Sequence, residues 1–415
     1  MHIVVMISLY LMAVLSMIIL WREGLIGSVK PLLAAAFFIS AAFWLRAMSM
    51  DHVTLDYVNF LSRWVAHFRT NGFKALSESV GNYNLPYLYF LALFSYADFY
   101  DLYLIKLLSI AFDVLLAASS MKLVSLVTES EGKRLFTFLA VLMMPTVILN
   151  GAYWGQCDSI YTAFGVLSLY YALDGKPICA MVSIALSFAF KLQAVFIMPV
   201  FIVLLYTKRI KFGHFLIFPL TYAVLALPAV LLGRPFKETL TLYFDQMGTV
   251  GGGLNYNSPS IFAILRSSEY ASILSTLGIL AAFAFLLLIY AWAYTRRESA
   301  DNRSVITLAC LISVAIPFLL PHMHDRYFFP ADVFTLIFAV MLPKYSIVPL
   351  LCSFSSLLGY HAYLKQRYLM PMSIGALSLA AVIYLLIAEF HYHLQDVDDP
   401  ETKDFDNESI DKQAL

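Results

Sequence analysis

The chain has 415 residues, of which 61% are hydrophobic and 13% charged, and its formal net charge at pH 7 is zero. Its mean hydropathy of +0.78 is far above that of a soluble domain and predicts a protein with many membrane spans. The balanced charge argues against nucleic acid as a partner. Four cysteines are spaced too widely for a disulfide framework or a zinc site, and they are Cys157, Cys179, Cys310 and Cys352.

Long apolar runs predict an all-α fold, that of a polytopic membrane protein with about thirteen transmembrane helices. The runs cover residues 1–21, 31–50, 103–125, 135–152, 158–174, 177–190, 194–206, 213–233, 272–295, 304–320, 326–342, 345–363 and 371–390. The first run lacks the Lys or Arg that opens a cleaved signal peptide, so we expect a retained span with the amino terminus outside. The chain then divides into two amino-terminal spans (1–50), a long outward loop (51–102), a helical bundle (103–390) and a tail (391–415).

Lys and Arg are concentrated in alternate loops, which indicates that these loops face the cytoplasm. The residues concerned are Arg22, Lys30, Lys122, Lys133, Arg134, Lys176, Lys208, Arg209, Lys211, Arg296, Arg297, Arg303 and Lys344. Lys365 and Arg367 depart from the pattern, because they fall in an outward loop. Residues 391–415 are rich in Asp and Glu, and we expect them to form a disordered cytoplasmic tail.

The segment 83–98 is apolar but too short for a simple span, and a proline lies near its start. Counting it as a span would reverse every later loop, so we predict that it dips into the membrane and returns. The outward loops are then 51–102, 153–157, 191–193, 234–271 and 321–325. Most of the unusual polar residues lie in or beside these loops, which predicts a binding or catalytic face on the extracytoplasmic side.

The first outward loop contains Asp51 and Asp56 and continues into an amphipathic helix. Apolar side chains recur there at helical spacing, as in a helix lying in the membrane interface, at Tyr57, Leu61, Trp64, Val65 and Phe68. Asp56 would stand at the start of this helix, where it can either cap the backbone or face a water-filled cavity. Asp51 is open to the same two interpretations.

Two further stretches put charged groups at the ends of apolar runs. WGQCDSIY (154–161) places Asp158 at the head of a span, where a carboxylate either caps the helix or has a partner or a function. FKLQA (190–194) places Lys191 in what would otherwise be one apolar run, so we expect a break that lines a cavity. Lys191 would there meet an anionic ligand, unless it extends to the outer headgroups.

The stretch PHMHDRYFFP packs four polar side chains between two spans, namely His322, His324, Asp325 and Arg326. An anion site is favoured over a metal site, because Arg326 would repel a metal, whereas Arg and His side chains donate hydrogen bonds to phosphate; a merely solvated loop is the alternative. The Gly-rich stretch 248–260 lacks the features of a nucleotide-binding loop and predicts a flexible gate. Candidate bases beside a cationic pocket at the lipid surface suit transfer of a group from a lipid-linked phosphate.

These stretches resemble, in their order and rough spacing, the GT-C superfamily of membrane glycosyltransferases. The resemblance covers residues 50–330 and rests on Asp56, NYNLPY (82–87), WGQCDSIY, FKLQA and HMHDRYFFP. The chain is most similar to bacterial homologues of the second mannosyltransferase of GPI-anchor assembly. A more distant likeness is to the glucosyltransferases of N-glycan assembly, which carry a comparable His-x-His-acid-base stretch.

The resemblance implies an inverting transfer of a mannosyl or other hexosyl group from a polyprenyl-phosphate donor to a hydroxyl of a glycan or glycolipid acceptor of the cell envelope. It places the reaction on the outer face of a bacterial cytoplasmic membrane, with the carboxyl terminus inside. It implies that Asp56 is the general base and that the donor phosphate meets Lys191, His322, His324 and Arg326. The sugar or acceptor pocket would be formed by Asp51, Tyr83, Trp154, Gln156, Asp158, Gln193 and Asp325.

The resemblance also suggests whether the transfer needs a metal, and the sequence departs from the family pattern in two respects. No Asp-x-Asp motif is present in the outward loops, so we expect metal-independent transfer, and the superfamily members that do use a divalent metal keep that alternative open. Leu192 stands where relatives often have Pro, at the break in FKLQA. One span precedes the catalytic loop beyond the family's usual arrangement.

A secondary transporter or a flippase for lipids or oligosaccharides is the competing interpretation. Lys191 and Asp158 would then lie on its pathway, with the break at 190–194 as a discontinuous helix. The sequence shows no internal repeat, and its polar residues gather on one face of the membrane rather than on both. Both observations favour the transferase.

Overall fold

The computed structural model describes residues 2–248, 252–265 and 269–398, and these are almost entirely helical. The α-helices are α1 (Ile3–Arg22), α2 (Val29–Ser49), α3 (Ser62–Asn71), α4 (Leu85–Phe94), α5 (Asp101–Ser125), α6 (Glu131–Met143), α7 (Pro145–Ile148), α8 (Asp158–Leu173), α9 (Pro177–Phe190), α10 (Val200–Tyr206), α11 (Ile217–Leu231), α12 (Phe236–Gly248), α13 (Ala271–Thr295), α14 (Asn302–Leu319), α15 (Phe329–Met341), α16 (Ile347–Leu364) and α17 (Met372–Asp398). Two short strands are β1 (Asn255–Tyr256) and β2 (Met323–His324).

Eight of the described helices are long and apolar enough to cross a membrane, and a ninth crossing would come from α6 together with Pro145–Trp154, which are bent by 43°. The chain is therefore an all-α, multi-pass membrane protein, as predicted. The other four predicted spans correspond to α8, α9, α10 and α15, which have 16, 14, 7 and 13 residues. The count of thirteen spans stays a prediction.

Basic residues predicted to share one side of the membrane do meet at one end of the helices. Glu23 pairs with Lys122 at 2.6 Å and with Arg134 at 2.8 Å. Glu389 in the same way pairs with Arg303 at 2.6 Å and with Lys344 at 2.9 Å. Helices α5, α14 and α16 each run from this end to the loops that hold the predicted site. The grouping follows from these contacts, and which end faces the cytoplasm stays a prediction.

The first outward loop forms a π-helical turn, Tyr57–Leu61, that continues into α3. Four of the five residues predicted to form its apolar face are buried: Tyr57, Leu61, Val65 and Phe68. The fifth, Trp64, lies beneath a turn at Gly81, whose φ of +66° favours glycine. A Cβ atom at Gly81 would come within 2.3 Å of the Trp64 ring. The amphipathic face is thus largely packed against protein.

Helix α4 lies within the segment predicted to dip and return, and it is ten residues long. The chain enters it at Tyr83, whose ring is 5.6 Å from that of Trp64. It leaves by way of Tyr100, whose ring is 6.0 Å from that of Tyr57. Both ends of this segment therefore lie against the same π-helical turn and α3.

The segment around β1 is attached to the loop that precedes α15. β1 and β2 pair in parallel, and the backbone N–H of His322 donates to the carbonyl of Leu254 at 2.8 Å. Of the predicted gate, residues 249–251 lie outside the described residues, and the part from 252 onward is held by these contacts. Of the predicted tail, residues 391–398 belong to α17 and 399–415 lie outside the described residues.

A buried ion pair joins four helices in the middle of the bundle. Arg46 of α2 donates to the Oδ2 atom of Asp113 of α5 from Nε at 3.0 Å and from Nη2 at 2.9 Å. Ser159 of α8 donates to the Oδ1 atom of Asp113, and Arg46 also donates to the carbonyl of Leu142 of α6 at 2.9 Å. Both charged side chains are fully buried, so each depends on the other for compensation.

Replacing Asp113 by Leu should destabilise the protein strongly. The change leaves the Arg46 charge buried without its partner, a loss of roughly 3–5 kcal/mol in the free energy of unfolding. Thermal unfolding of the detergent-solubilised protein measures it, and adding Arg46→Met should recover most of the loss. Lys208→Met is the matched control, because its pair with Glu298 is exposed and contributes little. A wild-type melting temperature for Asp113→Leu would contradict this account.

Candidate functional site

Asp56 is held by three neutral side chains. Its Oδ2 atom accepts hydrogen bonds from Trp154 Nε1 at 2.8 Å and from Gln156 Nε2 at 2.6 Å. Its Oδ1 atom accepts one from the hydroxyl of Tyr363. The side chain makes no capping hydrogen bond to the helix that it precedes. Of the two interpretations open from the sequence, the structure excludes capping.

Local backbone geometry brings Trp154 and Gln156 to Asp56. A π-helical turn, Leu149–Trp154, ends at Gly155, which has the left-handed φ of +82° that glycine tolerates best. The Thr54 hydroxyl donates to the carbonyl of Trp154 at 2.9 Å, and the Ser109 hydroxyl donates to that of Gln156 at 2.6 Å. The segment is therefore fixed both to the first outward loop and to α5.

Asp158, the first residue of α8, is buried in a separate set of contacts. Its Oδ1 atom pairs with the ammonium of Lys191, and its Oδ2 atom accepts from Asn150 Nδ2 at 2.7 Å. The Nε atom of Arg326 lies 3.9 Å from the same Oδ2 atom. The Asp158 carboxylate is therefore compensated by a cation and hydrogen-bonded on both oxygens.

The predicted break in FKLQA is present although Leu192 replaces proline. α9 ends at Phe190, Lys191 is extended with φ −155° and ψ 136°, and a 3-10 turn follows at Leu192–Phe196. The Lys191 ammonium points inward to Asp158, 5.6 Å from the centre of the Tyr83 ring. Lys191 therefore does not extend to the headgroups. Gln193, in the same turn, contacts Tyr327.

The Nε–H group of Arg326 is buried and has no hydrogen-bond partner among the described residues. The guanidinium carbon lies 5.4 Å from the centre of the Trp154 ring, and Nη1 is 3.5 Å from Asp325 Oδ1. An unpaired buried donor is costly, so its presence points to a ligand oxygen at this position.

A small cavity of about 80 Å³ is lined by residues from both sets of contacts. Asp56 and Gln156 belong to the first set, and Arg326, which approaches Asp158, belongs to the second. Its lining residues are Asp56, Phe60, Leu61, Trp64, Asn82, Tyr83, Gln156 and Arg326. The Tyr83 hydroxyl donates to Gln156 Oε1 at 3.1 Å, which orients the amide so that its nitrogen faces Asp56. A carboxylate and a guanidinium therefore face one cavity, which has room for roughly two or three water molecules.

The two histidines differ in their surroundings. His324 stacks on Tyr256 with ring centres 4.7 Å apart. Burial, together with the charges of Arg326 and Lys191, lowers the pKa of His324 to about 4, so it is neutral at pH 7. His322 is bound instead to the carbonyl of Gly253 at 2.7 Å and to Ser275 Oγ at 3.2 Å, and it does not line the cavity.

The structure therefore brings together eight of the twelve predicted site residues, and the exceptions are His322, Asp51, His324 and Gln193. Asp51 accepts a hydrogen bond from Tyr103 at 2.6 Å and does not line the cavity. The residues that converge on the cavity or on Asp158 are Asp56, Tyr83, Trp154, Gln156, Asp158, Lys191, Asp325 and Arg326.

Three residues at the site are not among those predicted from the sequence. Tyr363 bonds to Asp56 and stacks on Trp154 with ring centres 4.8 Å apart. Tyr360 accepts a hydrogen bond from Asn150 at 3.3 Å. Both tyrosines end a predicted span and look there like ordinary interfacial aromatics, and Asn150 is a single amide inside an apolar run. The nearby Lys365 and Arg367 give no indication of an outward-facing site, because basic residues in a short loop favour the cytoplasmic side.

Comparisons with known proteins do not identify the chain. No protein-family model matches it, and no curated protein matches it. Among the described residues, there is no group of three or more His, Cys, Asp or Glu side chains that could hold a metal ion. The function of the site is therefore argued from its own geometry.

Asp325 should make the stability depend on pH. Burial raises the pKa of its carboxyl to about 7, against the opposing charge of Arg326. Between about pH 4 and about pH 7 the folded protein thus retains a proton that the unfolded chain has lost, so the free energy of unfolding falls as the pH rises and levels off above this window. Asp325→Asn should lack this dependence. Thermal unfolding of both proteins across a pH series measures it, and parallel curves would contradict the assignment.

Proposed function

We propose that the chain is an inverting glycosyltransferase of GT-C type that transfers a mannosyl or other hexosyl group from a polyprenyl-phosphate donor to a hydroxyl of a glycan or glycolipid. The observation that carries the proposal is the shared cavity of Asp56 and Arg326. The reaction needs a base for the acceptor hydroxyl and a cation for the departing phosphate, and these two groups face each other there. The resemblance of the sequence supports the same assignment.

Asp56 is suited to the role of base. A carboxylate offers about four lone-pair positions, and three are taken by Trp154, Gln156 and Tyr363. One position remains for an acceptor hydroxyl. None of these three partners is a cation, so no ion pair must break before the carboxylate accepts a proton.

The proposed reaction is a single displacement. Asp56 takes the proton of the acceptor hydroxyl as its oxygen bonds to the anomeric carbon of the donor. The bond from that carbon to the phosphate oxygen breaks, and polyprenyl phosphate leaves with the electron pair, so the configuration inverts. The cavity admits the reacting hydroxyl and the atoms next to it but not a whole sugar, so its lining must move when substrates bind.

Arg326 is assigned to the donor phosphate, because its buried Nε atom makes no hydrogen bond in the described part of the chain, its contact with Asp158 Oδ2 being 3.9 Å, and a guanidinium binds phosphate in a bidentate manner. His324 is neutral, and the charge of Arg326 is among the causes that lower its pKa. Lys191 contributes less directly, because its charge is compensated by Asp158. Metal-independent transfer, with the lipid bilayer holding the donor and the site on the extracytoplasmic face, remains part of the proposal.

Asp56→Asn should abolish transfer. The amide cannot accept the proton, and loss of a general base lowers the rate by about a hundredfold to ten-thousandfold. Purified protein in nanodiscs would be given a panel of polyprenyl-phosphate monosaccharides together with candidate acceptors. The measured quantities are release of polyprenyl phosphate and binding of the donor, which the variant should retain. Asp98→Asn, in the same loop but not lining the cavity, is the matched control and should keep wild-type turnover.

Two outcomes would contradict the proposal. Equal turnover in wild type and Asp56→Asn would remove Asp56 as the base. Absence of both donor turnover and donor binding in the wild type would favour the transporter or flippase. The buried pair of Lys191 and Asp158 at a helix break is the feature that such a protein would use, and transport by it should be insensitive to Asp56→Asn.

Arg326→Lys should weaken donor binding although it preserves the charge. The ammonium cannot bind two phosphate oxygens at once, so we expect the donor KM to rise by about tenfold or more, and further in Arg326→Gln. Initial rates at varied donor concentration measure the change. An unchanged donor KM in Arg326→Gln would show that the phosphate binds elsewhere. Arg63→Gln, on the exposed side of α3, is the control for loss of an arginine near the outer face.

A further inference from the structure

Tyr363 contacts both the Asp56 carboxylate and Trp154, which is itself hydrogen-bonded to that carboxylate. Its hydroxyl donates to Oδ1 of Asp56. Its ring stacks on Trp154 at an interplanar angle of 20°, and Trp154 itself donates to Oδ2 of Asp56 at 2.8 Å. Tyr363 lies in the last turn of α16, 307 residues after Asp56, so the contact depends on the tertiary fold.

We propose that Tyr363 is a positioning residue that fixes the rotation of the Asp56 carboxylate and presents one lone pair of Oδ1 to the acceptor. This inference rests on the proposed role of Asp56 as the base. Trp154 and Gln156 both donate to Oδ2, and Tyr363 is the one side chain of the described chain that donates to Oδ1. Without its hydroxyl, the plane of the carboxylate is held at one oxygen only.

Substitution of Tyr363 by Phe removes a hydrogen-bond donor from the Asp56 carboxylate. A donor to the ionised form of a carboxylate favours that form, so its removal makes protonation easier. The titratable and charged groups that interact electrostatically with Asp56 include His324, Asp325, Arg326 and Tyr363. The first three are unchanged in Tyr363→Phe, so a displaced pH profile in that variant reports on the missing hydroxyl.

The first experiment compares the pH profiles of transfer by wild type and Tyr363→Phe. The phenylalanine keeps the ring that stacks on Trp154. We expect kcat to fall about tenfold with an unchanged donor KM, and the acid limb of the kcat profile to move to higher pH by about half a unit to one unit. Tyr360→Phe is the control for the pH profile, because it removes a hydroxyl one turn earlier beside Trp154 without touching Asp56. Its acid limb should coincide with that of the wild type.

The second experiment requires no substrate and separates this inference from the proposed function. A double-mutant cycle compares the effect of Tyr363→Phe on the melting temperature in wild type and in Asp56→Ala. If the hydroxyl binds the carboxylate, the substitution lowers the melting temperature in the wild type and has no effect in the Asp56→Ala background.

The two readouts fail independently. Additive melting temperatures, or a fall in kcat with an unmoved acid limb, would overturn the positioning role of Tyr363 even if Asp56→Asn abolishes transfer. Non-additive melting temperatures in a protein that neither turns over nor binds any donor would overturn the proposed function, while the contact between Tyr363 and Asp56 would stand.

Discussion

The site is assembled around the buried ion pair between Lys191 and Asp158. A charge in the interior of a membrane protein is costly unless a partner and hydrogen bonds compensate it. Lys191 supplies the charge from the break after α9, Asn150 supplies a hydrogen bond from the π-helical turn, and Arg326 approaches from the loop before α15. Compensation of one carboxylate therefore brings four segments of the chain together.

Much of the site could be predicted from the sequence, because its polar residues are costly exceptions in an apolar chain. Asp56, Asp158, Lys191 and Arg326 stand at the ends of apolar runs, and the structure brings all four to one region. The break at Lys191 is present without a proline, and the ammonium of this extended residue pairs with Asp158. Tyr363 could not be predicted in the same way. Its role depends on which ring and which carboxylate it meets, and both come from distant parts of the chain.

Hydropathy predicts the all-α membrane fold well, whereas the number of crossings stays a prediction. The eight helices that satisfy length and composition are those with apolar runs of 18 residues or more. Helices such as α8 and α15 are shorter and mostly buried, and α8 and α9 pack closely against each other. A helix surrounded by protein satisfies its polar ends through its neighbours and need not match the thickness of the hydrocarbon. The minimum length expected of a lipid-facing span therefore does not apply to these buried helices.

Two carboxylates lie at the same end of the molecule, and their partners distinguish their roles. Asp158 meets a cation on one oxygen and an amide on the other, so to accept a proton it would have to give up an ion pair in a buried setting. Asp56 meets an indole, an amide and a phenol, all neutral, and lines a cavity with Arg326. Two carboxylates in different environments can have different roles, one structural and one catalytic. On this argument Asp158 orders the site, which agrees with the proposal of Asp56 as the general base.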